Sequence, residues 1–231
     1  MMLYDCSTAP SPRRVRIFLA EKGLTLPTVQ VDLRGGEQFT PAFRAMNPGC
    51  TVPVLALDSG AAISDIIAIC RYIEELHPEP ALMGRDAEER ALIECWVRRI
   101  EWDGIYAIQE AFRNSMPGLE HRALPGPLPL EQIPALAERG RLRARHFLAW
   151  LDTRLADHAF VGGAAFTIAD ISAMVAVDFA ARARHIRPPI ERIENSMLDE
   201  PALMARMDCR CTRFAASTLA VCRQRTITKV I

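Results

Sequence analysis

The sequence predicts a protein of two parts, a small α/β domain followed by an all-helical domain. Two observations support this prediction. Up to about residue 77, short strand patterns alternate with helix patterns, whereas the periodic segments that follow are all helical. A stiff, proline-rich connection, HPEP, separates the two regions. We therefore expect domains at residues 1–77 and 85–208, a linker at 78–84, and an atypical tail at 209–231.

The first region contains four predicted strands and three predicted helices. Strands are indicated by alternating or continuous apolar residues, and helices by apolar residues at a spacing of three and four. In chain order they are a strand at 2–6, a helix at 12–22, a strand at 28–33, a helix at 40–46, the strand containing Pro53, a strand at 61–63 and a helix at 64–76. This order is typical of a four-stranded domain of the thioredoxin type.

The second region contains three predicted helices. Asp86 is the expected cap of a long helix that continues to about residue 113, and five prolines between 117 and 134 predict a loop. A further helix is expected at 135–156. Thr167 and Asp170 have the spacing of a capping box, which predicts the start of a third helix.

Composition excludes several broad classes of protein. The 28 basic and 28 acidic residues cancel, which argues against a general nucleic-acid binder. No apolar run approaches the length of a membrane span, and the N-terminus lacks the basic stretch of a secretory signal. The seven cysteines are scattered and form no CxxC pair. We therefore expect a cytoplasmic protein that binds no metal, nucleic acid or membrane.

Pro53 lies inside an apolar strand pattern, VPVLAL, where a proline cannot donate to the sheet. A cis Val52–Pro53 bond would turn the backbone N–H and C=O of Val52 outward, because cis geometry is far less costly before proline than elsewhere. An extended peptide would then pair with Val52 as a further strand. The alternative is a proline that simply opens an edge strand.

The order of four segments resembles that of a glutathione S-transferase. The segments are LYDCSTAPSPRRVRIFLAEKG, VDLRGGEQFTPAFRAMNPGCTVPVL, ISDIIAICRYIE and FTIADISA, and the resemblance extends from residue 2 to about 185. The sequence is similar to theta-, delta- and nu-like members of the family. The resemblance implies a thioredoxin-like domain joined to a helical domain, a homodimer, glutathione as co-substrate and a small electrophile as the second substrate.

Glutathione chemistry requires a group that stabilises the thiolate, which is the nucleophile. We expect Ser11 to be the N-cap of the first helix and Pro12 its first residue, so that Ser11 reaches both the helix terminus and the thiol. The resemblance would place a serine at the position of Ala9, so the catalytic candidates are Ser11, then Thr8, then backbone N–H groups. The alternative is that Ser11 only caps the helix.

The resemblance also assigns contacts to the γ-glutamyl end of glutathione. Asp65 matches the family's acidic residue for the amine, and Ile66 stands where the family has a serine, so that only its N–H is available for the carboxylate. Ser64 is a candidate to compensate for this change. The alternative for Ser64 and Asp65 is helix capping alone.

At the glycine end, Gln38 and Cys50 stand where theta- and delta-like enzymes place histidines. Arg13 is a candidate to steer an anionic ligand, unless it is an ordinary solvated arginine. The helix after the linker supplies the candidates for the second-substrate pocket, and the alternative for them is core packing: Tyr106, Phe112 and Arg113.

Three classes of function remain open. The first is a transferase that adds the glutathione thiolate to a small electrophile. The second is a glutathione-dependent disulfide reductase or peroxidase on the same fold, and the third is a non-catalytic binding module. The tail after residue 208, with three cysteines and five basic residues, departs from the family pattern, and we expect it to be poorly packed.

Overall fold

The computed structural model describes residues 1–183 and begins with a four-stranded sheet and three helices. The strands are β1 (Met2–Asp5), β2 (Thr28–Gln30), β3 (Val54–Ala56) and β4 (Ala62–Ile63), in the order β2-β1-β3-β4. The helices are α1 (Pro10–Glu21), α2 (Pro41–Met46) and α3 (Ile66–Leu76), and a single 3-10 turn spans Glu37–Phe39.

Within residues 1–183, the elements that follow the linker are helices, so the predicted architecture, α/β and then helical, is confirmed. They are α4 (Ala87–Arg99), α5 (Tyr106–Arg113), α6 (Pro134–Asp157) and α7 (Ile168–Arg182). The prediction of one uninterrupted α-helix up to residue 113 was wrong, because a π-helical segment at Ile100–Ile105 joins α4 to α5. The wider turn of this segment buries four of its six residues, namely Ile100, Glu101, Gly104 and Ile105.

The strand directions bring three chain segments to one edge of the sheet. β1 is parallel to β2 and antiparallel to β3, and β3 is antiparallel to β4. The end of β1, the start of β3 and the end of β4 therefore lie at the same edge. Because α1 follows β1 and α3 follows β4, the N-termini of both helices also lie there.

One apolar cluster joins the two parts of the chain. It contains Leu3 of β1 and Phe18 of α1 together with Phe147 of α6 and Ile171 of α7, all with at most 2% of their surface exposed. A second, smaller cluster contains Val31, Phe43, Val52 and Val54. Shared burial of this kind fixes α1 against the helical region.

Side-chain caps fix the starts of α4 and α7, as the sequence predicted. The Asp86 side chain accepts a hydrogen bond from the backbone N–H of Glu89 at 2.9 Å. Thr167 and Asp170 form the complete capping box. Burial raises the pKa of Asp170 to about 6, while hydrogen bonds from Val161 and Thr167 act in the opposite direction.

Gly140 lets α6 approach the backbone of α5 directly. A Cβ atom at this position would lie 2.6 Å from the backbone nitrogen of Ala111 and 2.7 Å from the carbonyl oxygen of Ala107. We therefore expect Gly140→Ala to force the two helices apart and to lower the free energy of unfolding by about 2 kcal/mol. Chemical denaturation measures the change. Gly60→Ala is not a suitable control, because Gly60 has a positive φ of 89°.

Gly162→Ala is the matched control for Gly140→Ala. The position has no positive φ, and the nearest contact of an added Cβ would be an ordinary 3.8 Å to the Thr167 hydroxyl. We expect this control to change the free energy of unfolding by less than about 0.5 kcal/mol. Equal effects of the two substitutions would contradict the close helix contact.

The predicted tail at 209–231 lies outside the described residues. Within residues 1–183, no helix combines the length and apolar character needed to cross a membrane.

Candidate functional site

The loop between β1 and α1 is built around a buried carboxylate. Asp5, which is 1% exposed, accepts hydrogen bonds from Arg16 at 2.5 Å and from the side-chain amide of Gln30 at 2.7 Å. Gln30 also accepts from the backbone N–H of Ser7 at 2.8 Å. These contacts fix the path of residues 6–9 toward α1. These contacts were not predicted, although an acidic residue inside a strand pattern was a signal for them.

The first turn of α1 differs from the prediction. The helix begins at Pro10 with Ala9 at the N-cap, so the assignment of Ser11 as cap and Pro12 as first residue was wrong. Both Pro10 and Pro12 satisfy the preference for proline in the first turn, and the earlier one starts the helix. Ser11 is consequently the second helical residue and is half-buried.

This arrangement leaves Ser11 with the free N–H of the helix terminus. The first N–H groups of a helix have no partner within it. Here Pro10 and Pro12 have no N–H, and the N–H of Ala9 donates to the carbonyl of Cys6 at 3.0 Å. The backbone N–H of Ser11 and its hydroxyl therefore form the donor pair at the positive end of α1.

Thr8, the second catalytic candidate, lies in the same loop and is exposed. Its hydroxyl is 3.4 Å from the thiol of Cys6, which is half-buried. The loop thus places a thiol, Thr8 and Ser11 within six residues at one edge of the sheet.

The turn before β3 is held by the buried side chain of Asn47. Its amide donates to the carbonyl of Thr51 at 2.8 Å, and its side-chain oxygen accepts from the N–H of Gly49 at 3.0 Å. Cys50, in the same turn, has a φ of 52°, in the left-handed region that non-glycine residues rarely adopt. The turn therefore fixes the approach of the chain to Val52.

The Val52–Pro53 bond is cis, as the sequence predicted. Val52 precedes β3, which begins at Val54, and so lies outside the sheet ladder. Among the described residues, neither the backbone N–H nor the backbone C=O of Val52 has a hydrogen-bond partner. Both groups are available to an extended ligand at the edge of the sheet where β3 starts.

The N-terminus of α3 combines a carboxylate with free N–H groups. Asp65 is the N-cap, and its Oδ1 atom accepts from the N–H of Ala68 at 2.9 Å. The capping alternative for Asp65 therefore holds, but the exposed side chain keeps a second oxygen for a ligand. The N–H groups of Ile66 and Ile67, in the first turn, have no partner within the helix, and Ser64 is exposed beside them.

Gln38 contributes a buried amide that is not fully satisfied. The residue is 1% exposed, and its Nε2 atom lies 3.4 Å from the carbonyl of Leu33. Its Oε1 atom has no hydrogen-bond partner among the described residues. An unpaired buried polar atom is costly unless a ligand or water completes it.

The remaining candidates fall into different surroundings. The Arg13 guanidinium forms an ion pair with Asp178 of α7, so this arginine joins α1 to the helical region. Phe112 packs edge-to-face on Phe179, with 5.6 Å between ring centroids. Arg113 donates to the carbonyl of Leu124 at 3.1 Å.

Tyr106 lies on the side of the site formed by the π-helical segment. It is 47% exposed and meets the ring of Trp102 edge-on at 6.3 Å. Burial raises the pKa of Tyr106, and the negative charges of Glu101 and Asp65 act in the same direction. Its hydroxyl is therefore protonated at neutral pH.

A buried ion pair behind the site was not predicted. Arg14 of α1 donates to Glu101 at 2.7 Å, and the side chains are 3% and 6% exposed. Glu101 also accepts from Arg98 at 3.2 Å. The pair connects the first turns of α1 to the π-helical segment. Within residues 1–183, no group of three or more histidine, cysteine or acidic side chains could hold a metal ion.

Comparisons with known proteins agree with this geometry. The N-terminal domain model of the glutathione S-transferase family matches residues 8–76, and the C-terminal domain model matches residues 134–195. Glutathione S-transferase 2 of Saccharomyces cerevisiae is 36% identical over 184 residues, which are 78% of this chain and 76% of that protein.

Solved structures show the same relationship. A glutathione S-transferase domain-containing protein from Marinobacter aquaeolei is 37% identical with a TM-score of 0.78, over 91% of this chain and 98% of that chain. Gtt2 from Saccharomyces cerevisiae is 31% identical with a TM-score of 0.78, over 93% of this chain and 100% of that chain. The sequence, the fold and these matches together show that the chain belongs to the glutathione S-transferase family.

Proposed function

We propose that this protein is a glutathione transferase that adds the thiolate of glutathione to a small electrophile. The supporting observation is the meeting, at one edge of the sheet, of the Ser11 donor pair, the unpaired backbone of Val52 and the N-terminus of α3 with Asp65. These groups match the parts of a tripeptide that carries a thiol, an extended backbone and an α-amino acid end.

The residues present fit glutathione, which supplies a thiol nucleophile when bound. Val52 would pair with the tripeptide backbone, as a neighbouring strand does. Asp65 would accept from the γ-glutamyl amine, while the N–H of Ile66 would donate to the adjacent carboxylate, with Ser64 as a further donor. Gln38, whose Oε1 atom lacks a partner among the described residues, would complete its hydrogen bonds at the glycine end.

Ser11 would stabilise the negative charge on sulfur. Its hydroxyl and N–H both donate at the positive end of α1, and a donor favours the ionised form of the group it contacts. Thr8 is the runner-up for this role. Trp102 and Tyr106 expose aromatic surface that would contact the electrophile, whereas Phe112 packs on Phe179.

A second candidate function is the glutathione-dependent reduction of disulfides. It is favoured by the half-buried thiol of Cys6, which lies in the loop that leads to Ser11.

We also propose a cytoplasmic homodimer, since two-fold dimers are the commonest symmetric assembly. Light scattering at micromolar concentration tests the dimer.

The purified full chain should bind a glutathione-affinity column and elute with free glutathione. We expect it to conjugate 1-chloro-2,4-dinitrobenzene at a rate above the uncatalysed reaction. A disulfide-exchange assay with a mixed disulfide of glutathione tests the second candidate. Retention without either activity would indicate a binding module, and lack of retention would refute the proposed function.

A further inference from the structure

The loop that joins α5 to α6 crosses over the first domain at the glycine end of the proposed glutathione site. A Cβ atom on Gly126 would lie 3.5 Å from the carbonyl oxygen of Gly49, which precedes Cys50. The guanidinium of Arg122 lies 5.4 Å from the centre of the Phe39 ring, next to Gln38. The loop therefore contacts both segments that border this end of the site.

The loop has a defined conformation that holds Arg122 in place. The N–H of Ala123 donates to the carbonyl of Leu130 at 3.0 Å, and the N–H of Leu130 donates to the carbonyl of His121 at 3.1 Å. At its base, the Gln132 amide donates to the carbonyl of Arg113 at 2.8 Å. These bonds fix the backbone on both sides of Arg122 and tie the base of the loop to the backbone of Arg113.

Two guanidinium groups gather here without an acidic partner among the described residues. Burial and the positive charge of Arg122 lower the pKa of Arg113 to about 10, so the Arg113 guanidinium remains charged at neutral pH. The Nε atom of Arg113 is buried and has no hydrogen-bond partner in the described part of the chain. Two neighbouring positive charges repel each other, and an anion that lies between them offsets this repulsion.

The acidic side chains of the same loop are engaged elsewhere. Glu120 accepts from the N–H of Gly118 at 3.0 Å, and Glu131 is 2.6 Å from the ring of His121. Glu110, one turn before Arg113 on α5, pairs with Arg139 at 2.5 Å. The chain thus has carboxylates nearby and does not use them to neutralise Arg113 or Arg122.

We propose that Arg122 and Arg113 form a carboxylate-binding site, and that its occupant is the glycyl carboxylate of glutathione. This inference rests on the proposed function and extends it. Planar guanidinium groups are suited to carboxylates because they donate two parallel hydrogen bonds. Gln38, whose Oε1 atom lacks a partner among residues 1–183, lies beside the ring beneath Arg122 and is suited to accept from the adjacent amide of the ligand.

The experiment compares glutathione with glutathione esterified by ethanol at the glycyl carboxylate, which lacks the glycyl charge but keeps the rest of the molecule. Binding of each ligand to the full chain is measured by titration calorimetry. We expect Arg122→Gln to weaken glutathione about tenfold or more and to leave binding of the ester nearly unchanged. Arg113→Gln should act in the same direction. Arg122→Lys, which keeps the charge, should bind glutathione better than Arg122→Gln.

Arg145→Gln is the matched control, because it removes the same charge from an arginine of α6 that has an acidic partner. The Nη2 atom of Arg145 lies 3.8 Å from the Oε1 atom of Glu138. This control should change neither binding constant. Equal weakening of both ligands by Arg122→Gln, or no weakening of glutathione, would overturn the inference. Arg122→Gln could instead raise the KM of an electrophile that bears a carboxylate, without raising the KM of that electrophile's ester or weakening glutathione. The anion would then belong to the second substrate, and the glycyl assignment would be wrong. Failure of the unmodified protein to bind either ligand would refute the proposed function itself.

Discussion

Ser11→Ala is expected to lower turnover at neutral pH by about one to two decades while leaving the fold intact. A hydrogen bond to a charged group contributes about 1.5–3 kcal/mol, which corresponds to that range of rate. The loss should come with a raised pKa of the bound thiol, because the hydroxyl that favours the thiolate is gone. Raising the pH should therefore recover part of the rate.

The position of Ser11 in α1 makes this test sharp. If Ser11 were an N-cap, its replacement by alanine would lower the free energy of unfolding by about 1 kcal/mol. Ser11 is the second helical residue and makes no capping hydrogen bond, so its replacement should leave the free energy of unfolding nearly unchanged. A loss of stability with unchanged turnover would contradict its role at the thiol.

Thiolate absorbance against pH, measured on the complex with glutathione, is the decisive measurement. Thr8→Ala is the matched variant, since Thr8 lies in the same loop and its hydroxyl contacts Cys6. We expect the titration curve to move to higher pH in Ser11→Ala and to stay in place in Thr8→Ala. The opposite result would assign the thiol contact to Thr8, and two unmoved curves would leave the backbone N–H of Ser11 as the donor.

Features fixed by neighbouring residues could be predicted from the sequence. The strands of the sheet, the capping box of Thr167 with Asp170 and the cap at Asp86 all depend on local patterns, and the structure contains them. The start of α1 was the exception, because Pro10 and Pro12 both fit the first turn and the local pattern does not distinguish them.

Features that join distant parts of the chain could not be predicted. The Arg14–Glu101 pair connects residues 87 positions apart, and the π-helical segment that buries Glu101 leaves no local mark on the helical pattern. Arg13 was interpreted as a ligand contact because α7, which carries Asp178, could not be placed against α1. Arg122 was missed for the same reason, since its proximity to Phe39 exists only after the two parts pack together.

Lys22→Met is expected to lower the free energy of unfolding by about 3–5 kcal/mol, because it leaves a buried carboxylate without its charged partner. The Lys22 side chain is fully buried, and its Nζ atom lies 2.5 Å from Glu74. The same atom donates to the carbonyls of His77 and Pro80, at 2.7 and 2.6 Å. One ammonium group therefore holds α1, α3 and the start of the linker together.

Arg71→Met is the matched control, because Arg71 also connects α3 to the helical region through an ion pair, with Glu94 at 3.0 Å. Its side chain is 58% exposed, so its loss should cost less than about 1 kcal/mol. Adding Glu74→Gln to Lys22→Met should restore part of the stability, since the unpaired charge is then removed. Equal losses for Lys22→Met and Arg71→Met would mean that burial of the lysine does not determine how firmly the linker is held.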